Sequence, residues 1–81
     1  MTVWKFNRAK NKYEKYSTPD EWNCKILSNN MTEKINCASC GNELEYGHSY
    51  CSLEIHNKLG FGYCVCKPCY MQEINRRRQY K

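Results

Sequence analysis

The chemistry in this chain is concentrated in its sulfur. Cysteines stand at 24, 37, 40, 51, 64, 66 and 69 of 81 residues. Four of them form two CxxC pairs, Cys37-Ala-Ser-Cys40 and Cys66-Lys-Pro-Cys69, separated by residues 41–65. Zinc favours four thiolates in a tetrahedron with bonds of about 2.3 Å. A CxxC turn sets two sulfurs on one edge of such a tetrahedron, and a second turn completes it. The spacer usual for this arrangement is about 15–20 residues, so a long hairpin is expected to take up the excess. The expectation is one structural Zn²⁺ on Cys37, Cys40, Cys66 and Cys69. An odd number of cysteines excludes a fully paired disulfide framework within one chain. The start, Met1 to Phe6, lacks the basic-then-apolar layout of a leader. A reducing, cytoplasmic setting is therefore expected, and the sequon Asn30-Met31-Thr32 carries no weight.

The segments around the pairs must position them. Gly41 can take the positive φ that turns backbone N–H groups toward the sulfurs. Pro68 suits a first helical position, which places Cys69 in the first turn of a helix running to Arg78. The positive end of the helix dipole favours a thiolate there. Between the pairs, His48, Tyr50, Ser52, Glu54 and His56 alternate with Ser49, Cys51, Leu53 and Ile55, as in a half-buried strand. Asn57-Lys58-Leu59-Gly60 reads as a turn and 61–66 as the return strand. A four-residue loop pairs 56 with 61, 53 with 64 and 51 with 66. On that register Cys51, Leu53, Ile55, Cys64 and Cys66 face the helix, and Tyr50, His56, Phe61 and Tyr63 face outward.

The series CASCGNELEYG, HSYCSLEIHNKLGFGYCVC and KPCYMQEINRRR resembles the treble-clef zinc fingers. The resemblance covers about residues 35–79. It implies a zinc knuckle, a β-hairpin and a C-terminal helix, and leaves the function open, since such fingers serve nucleic-acid binders, adaptors and nucleases. The chain also resembles small uncharacterised zinc proteins of phages and conjugative elements, which implies no activity. It would place the protein in a host cytoplasm.

Of the remaining candidates, Cys51 and His48 are alternative ligands, with burial as a small hydrophobe the expectation for Cys51. Cys64 is expected in the core, and Cys24 as a packed thiol. Ahead of the finger, Val3–Arg8 and Lys12–Tyr16 flank Ala9-Lys10-Asn11, which fits a β-hairpin. Thr18-Pro19-Asp20-Glu21 has the form of a capping box, so a short helical turn is expected at 19–23. Residues 24–36 have no firm assignment. Trp4, Phe6 and Trp22 are expected to form an apolar cluster against the finger, with a stacking surface as the alternative. The expected whole is a small α+β domain: residues 1–34 form a hairpin and turn packed on a finger of residues 35–81.

Leu, Ile, Val and Phe together supply only 12 of 81 residues. A chain so short and so poor in aliphatics needs a staple beyond its core. No apolar run approaches the roughly 20 residues of a membrane span. Charge is segregated. Residues 1–16 carry five basic side chains against one acidic, net +4, and residues 66–81 are also net +4. The middle, 17–65, is net −3. Four thiolates and one divalent ion lower the formal +5 of the chain to +3.

Basic ends can neutralise phosphates. The first expectation is a non-catalytic module binding nucleic acid through Arg76, Arg77, Arg78, Lys81, Arg8, Lys10 and Lys12, with Tyr70 and Tyr80 near enough to stack. The alternative is a protein adaptor or an inhibitor of a host protein, using Tyr50, His56, Phe61 and Tyr63. A third reading is a dithiol redox protein using Cys66 and Cys69, whose Lys and Pro resemble a thioredoxin-type motif without its βαβ context. Catalytic hydrolysis is not expected, because the one Asp is Asp20 and a four-thiolate ion has no open position. No small-molecule substrate or membrane partner is expected.

Overall fold

A computed structural model describes residues 1–79. Alternating aromatics produce β1 (Thr2–Asn7) and β2 (Lys12–Ser17), paired antiparallel with Val3 opposite Tyr16 and Phe6 opposite Tyr13. Asn11 takes a positive φ of 53° in the turn, which asparagine tolerates better than most residues. The expected capping box does not form. Thr18 is buried, and its N–H and hydroxyl both donate to the Met1 carbonyl, at 2.8 and 3.4 Å. With that hydroxyl closing the open end of the hairpin, the short turn expected at 19–23 is a single one, Trp22 N–H to Pro19 O at 3.1 Å.

Next come β3 (Lys34–Asn36) and β4 (Glu43–Glu45), a short pair with Ile35 opposite Leu44. A 3₁₀ turn at Tyr46–His48 leads into β5 (Tyr50–His56), followed by β6 (Gly62–Val65) and α1 (Lys67–Gln79). The main sheet runs β2-β1-β5-β6. Trp4 opposite His56 and Lys5 opposite Ile55 join the N-terminal hairpin edge to edge with β5. The core gathers Val3, Ile55, Tyr63 and Val65 with Cys37, Ala38 and Cys69. This is a small, treble-clef-like α+β arrangement in which two hairpins share one sheet. Val3 turns inward from β1, so Trp4 and Phe6 lie on the other face beside Tyr13 and His56 and do not form the expected cluster with Trp22. Among the described residues, no helix is long and apolar enough to cross a membrane.

The register of the second hairpin departs from expectation. Tyr50 faces Val65, Cys51 faces Cys64, and His56 faces Gly62, so a bulge lies between Cys51 and His56. Strict alternation ends there. Ser52, Glu54 and Ile55 are all buried, whereas Cys51 is exposed and Leu53 half-buried. The expected inward set of Cys51, Leu53, Ile55, Cys64 and Cys66 therefore gives way to Ser52, Glu54, Ile55, Tyr63, Cys64 and Val65.

The physical cause is hydrogen bonding, not apolarity. A bulge leaves amides without ladder partners, and buried amides must find others. Ser52 Oγ accepts from the N–H groups of Glu54 and Ile55, at 3.1 and 2.8 Å, and donates to Glu73 Oε2 at 2.6 Å. Leu53 N–H donates to Glu73 Oε1 at 2.6 Å. Gly62 lies so close that a Cβ there would meet Ser52 O and Cys51 Sγ.

The inward stripe of α1 is consequently polar. Cys69 and Glu73 are its buried residues, and Arg76 reaches Glu54 with Nη2 to Oε1 at 2.7 Å. Arg8 of the first hairpin donates from Nε to the other oxygen of Glu54 at 3.3 Å. Glu54 and Glu73 are each only 1% exposed. Such burial is tolerable because each carboxylate is paired or hydrogen-bonded.

Candidate metal centre

The first CxxC pair occupies the loop between β3 and β4. Asn36, the last residue of β3, donates from Nδ2 to Gly41 O at 2.9 Å and accepts at Oδ1 from Asn23 N–H at 2.8 Å. Gly41 N–H closes the loop onto Cys37 O at 2.8 Å, with φ at +80°. The ring of Trp22 fills the space that a Cβ at Gly41 would need. This loop directs the amides of Ser39 and Cys40 at Cys37 Sγ, 3.3 and 3.4 Å away. Ala38 N–H bonds Cys64 O at 3.1 Å and fixes the loop against β6.

The second pair spans the junction of β6 and α1. Cys66 precedes the helix, and its carbonyl accepts from Tyr70 N–H at 2.9 Å. The helix begins at Lys67, one residue before Pro68, and Cys69 falls in its first turn. The four Sγ atoms of Cys37, Cys40, Cys66 and Cys69 lie within 4.8 Å of one another, with Cys40 and Cys66 3.6 Å apart. A regular tetrahedron with bonds of about 2.3 Å has edges of about 3.8 Å. The donor set therefore fits one metal ion. Cys37 and Cys69 are buried, Cys66 is half-buried and Cys40 is exposed.

The electrostatics of the four thiols differ. Burial opposes ionisation of Cys37, but the amides of Cys40, Cys66 and Ser39 outweigh it and bring its pKa below the ordinary thiol value. Burial pushes Cys40 and, far more strongly, Cys69 upward, and neighbouring sulfurs add to both shifts. A divalent cation reverses that penalty and draws the protons off.

Neither alternative ligand joins the cluster. Cys51, expected to be buried, is exposed, because the bulge carries it out over Gly62; its Sγ lies 3.8 Å from Gly62 O. His48 is 81% exposed, with Nε2 4.0 Å from Glu45. Cys64 is in the core, and Cys24 is half-buried; burial raises the pKa of both.

The basic candidates separate. Arg8 and Arg76 meet at Glu54. Lys10 lies 3.4 Å from Glu14, a surface pair of little energetic weight. Lys12 is exposed at the start of β2, and Arg77 and Arg78 are exposed in the last turn of α1. Lys81 and Tyr80 lie outside the described residues. Sequence reasoning missed Lys5 and Lys15. Together with Arg8 and Arg76 they line a cleft of about 380 Å³ that also includes Asn7, Glu14 and Tyr16. The strand register could have flagged Lys5, which faces Glu14 on the side of β1 that carries Val3.

The outward aromatic set does not make one patch. Tyr63 is buried in the core with Val65, and its hydroxyl points at Met1 Sδ, 3.5 Å away. Tyr50 stacks on Tyr70 with ring centres 4.9 Å apart. Phe61 is exposed at the hairpin tip, and His56 is half-buried beside Tyr13. Comparison with protein-family models, curated proteins and solved structures finds no match for this chain.

Proposed function

We propose that the protein is a non-catalytic, zinc-stabilised module that binds nucleic acid through a basic face made jointly by its N-terminal hairpin and C-terminal helix. Four soft thiolates in tetrahedral disposition suit zinc. They fill its coordination, so the ion holds the fold and leaves no position for a substrate. The ion would be held by Cys37, Cys40, Cys66 and Cys69.

The observation that carries the reading is the cleft. The two basic segments, far apart in sequence, meet at Glu54, where Arg8 and Arg76 are held in place. Lys5 lies over the Tyr16 ring, 5.1 Å from its centre, and Lys15 lines the same cleft. Cations fixed in advance lose little side-chain entropy when a phosphate arrives. Arg77 and Arg78 add charge on the same helix. The dithiol alternative is less well supported. Cys66 and Cys69 stand within reach of Cys37 and Cys40, a four-sulfur set that suits a metal ion better than a two-sulfur redox couple.

The test is fluorescence anisotropy with labelled DNA and RNA between about 50 and 200 mM salt, a range over which phosphate contacts weaken steeply. Binding should fall with salt, and Lys5→Glu and Lys15→Glu should each reduce both affinity and the salt slope. No binding to any nucleic acid at the low-salt end overturns the reading.

A further inference from the structure

The other face of the N-terminal hairpin is lined by rings. Trp4 and His56 are direct partners across β1 and β5. Tyr13 meets His56 edge to face, with ring centres 5.6 Å apart, and meets Phe6 the same way at 4.9 Å. With Asn57, Lys58 and Gly60, three of these rings (Trp4, Tyr13 and His56) enclose a slot of about 330 Å³.

The far wall is built by the β5–β6 turn. Asn57 Oδ1 accepts from the N–H groups of Leu59 and Phe61, each at 2.9 Å, and Asn57 N–H donates to Phe61 O at 2.8 Å. Gly60, at φ +92°, has open space where a Cβ would stand. Lys58 is exposed in the same turn and brings a positive charge to the slot. Tyr13 remains 52% exposed, although it is aromatic and sits among rings. An open slot with ring walls and a cation at its mouth suits a flat, apolar, π-faced group attached to an anion.

The slot adjoins the basic cleft. Lys15 stands opposite Trp4 in the β1–β2 register and also lines the cleft. The two sites therefore lie on opposite faces of one hairpin, joined around its outer strand. We infer that the slot receives a single unstacked nucleobase while the cleft holds the adjoining phosphates, so that the partner strand is single-stranded. This rests on the nucleic-acid reading above and specifies its ligand. A paired base in a duplex is stacked on both sides and cannot enter, whereas bases of a single strand stack on aromatic side chains.

The test compares three labelled ligands on the metal-bound full chain: a mixed-sequence single strand, its duplex, and an abasic strand with the same number of phosphates. The single strand should bind about tenfold more tightly than the abasic strand, in line with one base–aromatic stack. Tyr13→Ala should erase that preference and leave abasic binding unchanged, whereas Tyr13→Phe should keep it. Lys15→Glu should weaken all three ligands. Lys58→Glu, in an exposed turn, supplies a second variant should Tyr13→Ala disturb the hairpin, and it too should reduce the preference. A preference indifferent to both Tyr13→Ala and Lys58→Glu overturns the slot and leaves the cleft standing. Binding of no ligand at all overturns both.

Discussion

The two polar attachments of α1 make an instructive pair. At its first turn the helix offers Cys69 to a cluster of four thiols; one and two turns later it offers Glu73 and Arg76 to a bulged strand. Both replace apolar packing in a chain with few aliphatics. They differ in what balances the cost of burial. The thiols need an ion from outside the chain, and without it burial drives Cys69 strongly toward its neutral form. The carboxylates are balanced by groups of the chain itself. One attachment therefore depends on metal directly, and the other only through the fold that the metal helps to hold.

The comparison breaks most sharply at the thiols. Structural zinc is worth about 10–16 kcal/mol in small fingers, as much as the whole stability of an ordinary domain, about 5–15 kcal/mol. Cys37→Ser, Cys69→Ser or a strong chelator is expected to unfold residues 35–79, read as lost ellipticity together with lost metal in a native mass spectrum. Retained cooperative melting in the metal-free chain contradicts this. The pH dependence has a definite sign. Protons compete with the ion for the sulfurs, and Cys40 and Cys69 hold theirs above the ordinary thiol value. The ion is thus kept at neutral pH and above and released as pH falls.

Glu73→Ala comes second. It strands the Ser52 hydroxyl and the Leu53 amide, at a cost of about 3 kcal/mol. The urea midpoint should fall while the metal stays bound, and a change below about 1 kcal/mol would show that the bulge does not depend on this carboxylate. Glu54→Gln is expected to cost less, about 1–2 kcal/mol, because Arg8 and Arg76 are partly exposed and can turn to water. With Arg8 and Arg76 no longer held in place by a carboxylate, nucleic-acid affinity should fall, which anisotropy can measure. The smallest effect is expected from Cys51→Ser, within about 0.5 kcal/mol in the same denaturation assay, since its thiol is exposed and outside the cluster.

The same contrast explains what could be read in advance. A CxxC turn is local: two residues three apart share one loop, and the pairs announce themselves at 37/40 and 66/69. The N-terminal hairpin was legible for the same reason, from its alternation and its short polar turn. The carboxylate attachment was not. Ser52 and Glu54 occupy the polar positions of an alternating strand, and alternation places polar residues outward. Only a bulge turns them in, and that bulge is stabilised by Glu73, about twenty positions later in the helix. Cys51 and Tyr63 are misplaced with them, because the face that alternation assigns to solvent is the one that packs inward. Strands β3 and β4 escaped notice because three residues each are too few to establish a period.

The contact between Trp22 and Gly41 gives the molecule a built-in optical reporter. The indole covers the residue immediately after Cys40, where the chain turns back from the metal cluster. Loss of the ion would loosen that turn and expose the ring to solvent, shifting its emission to the red. Trp4, paired with His56 of β5, would add the loss of that strand contact to the same spectrum, so the occupancy of the metal centre could be followed without any attached dye.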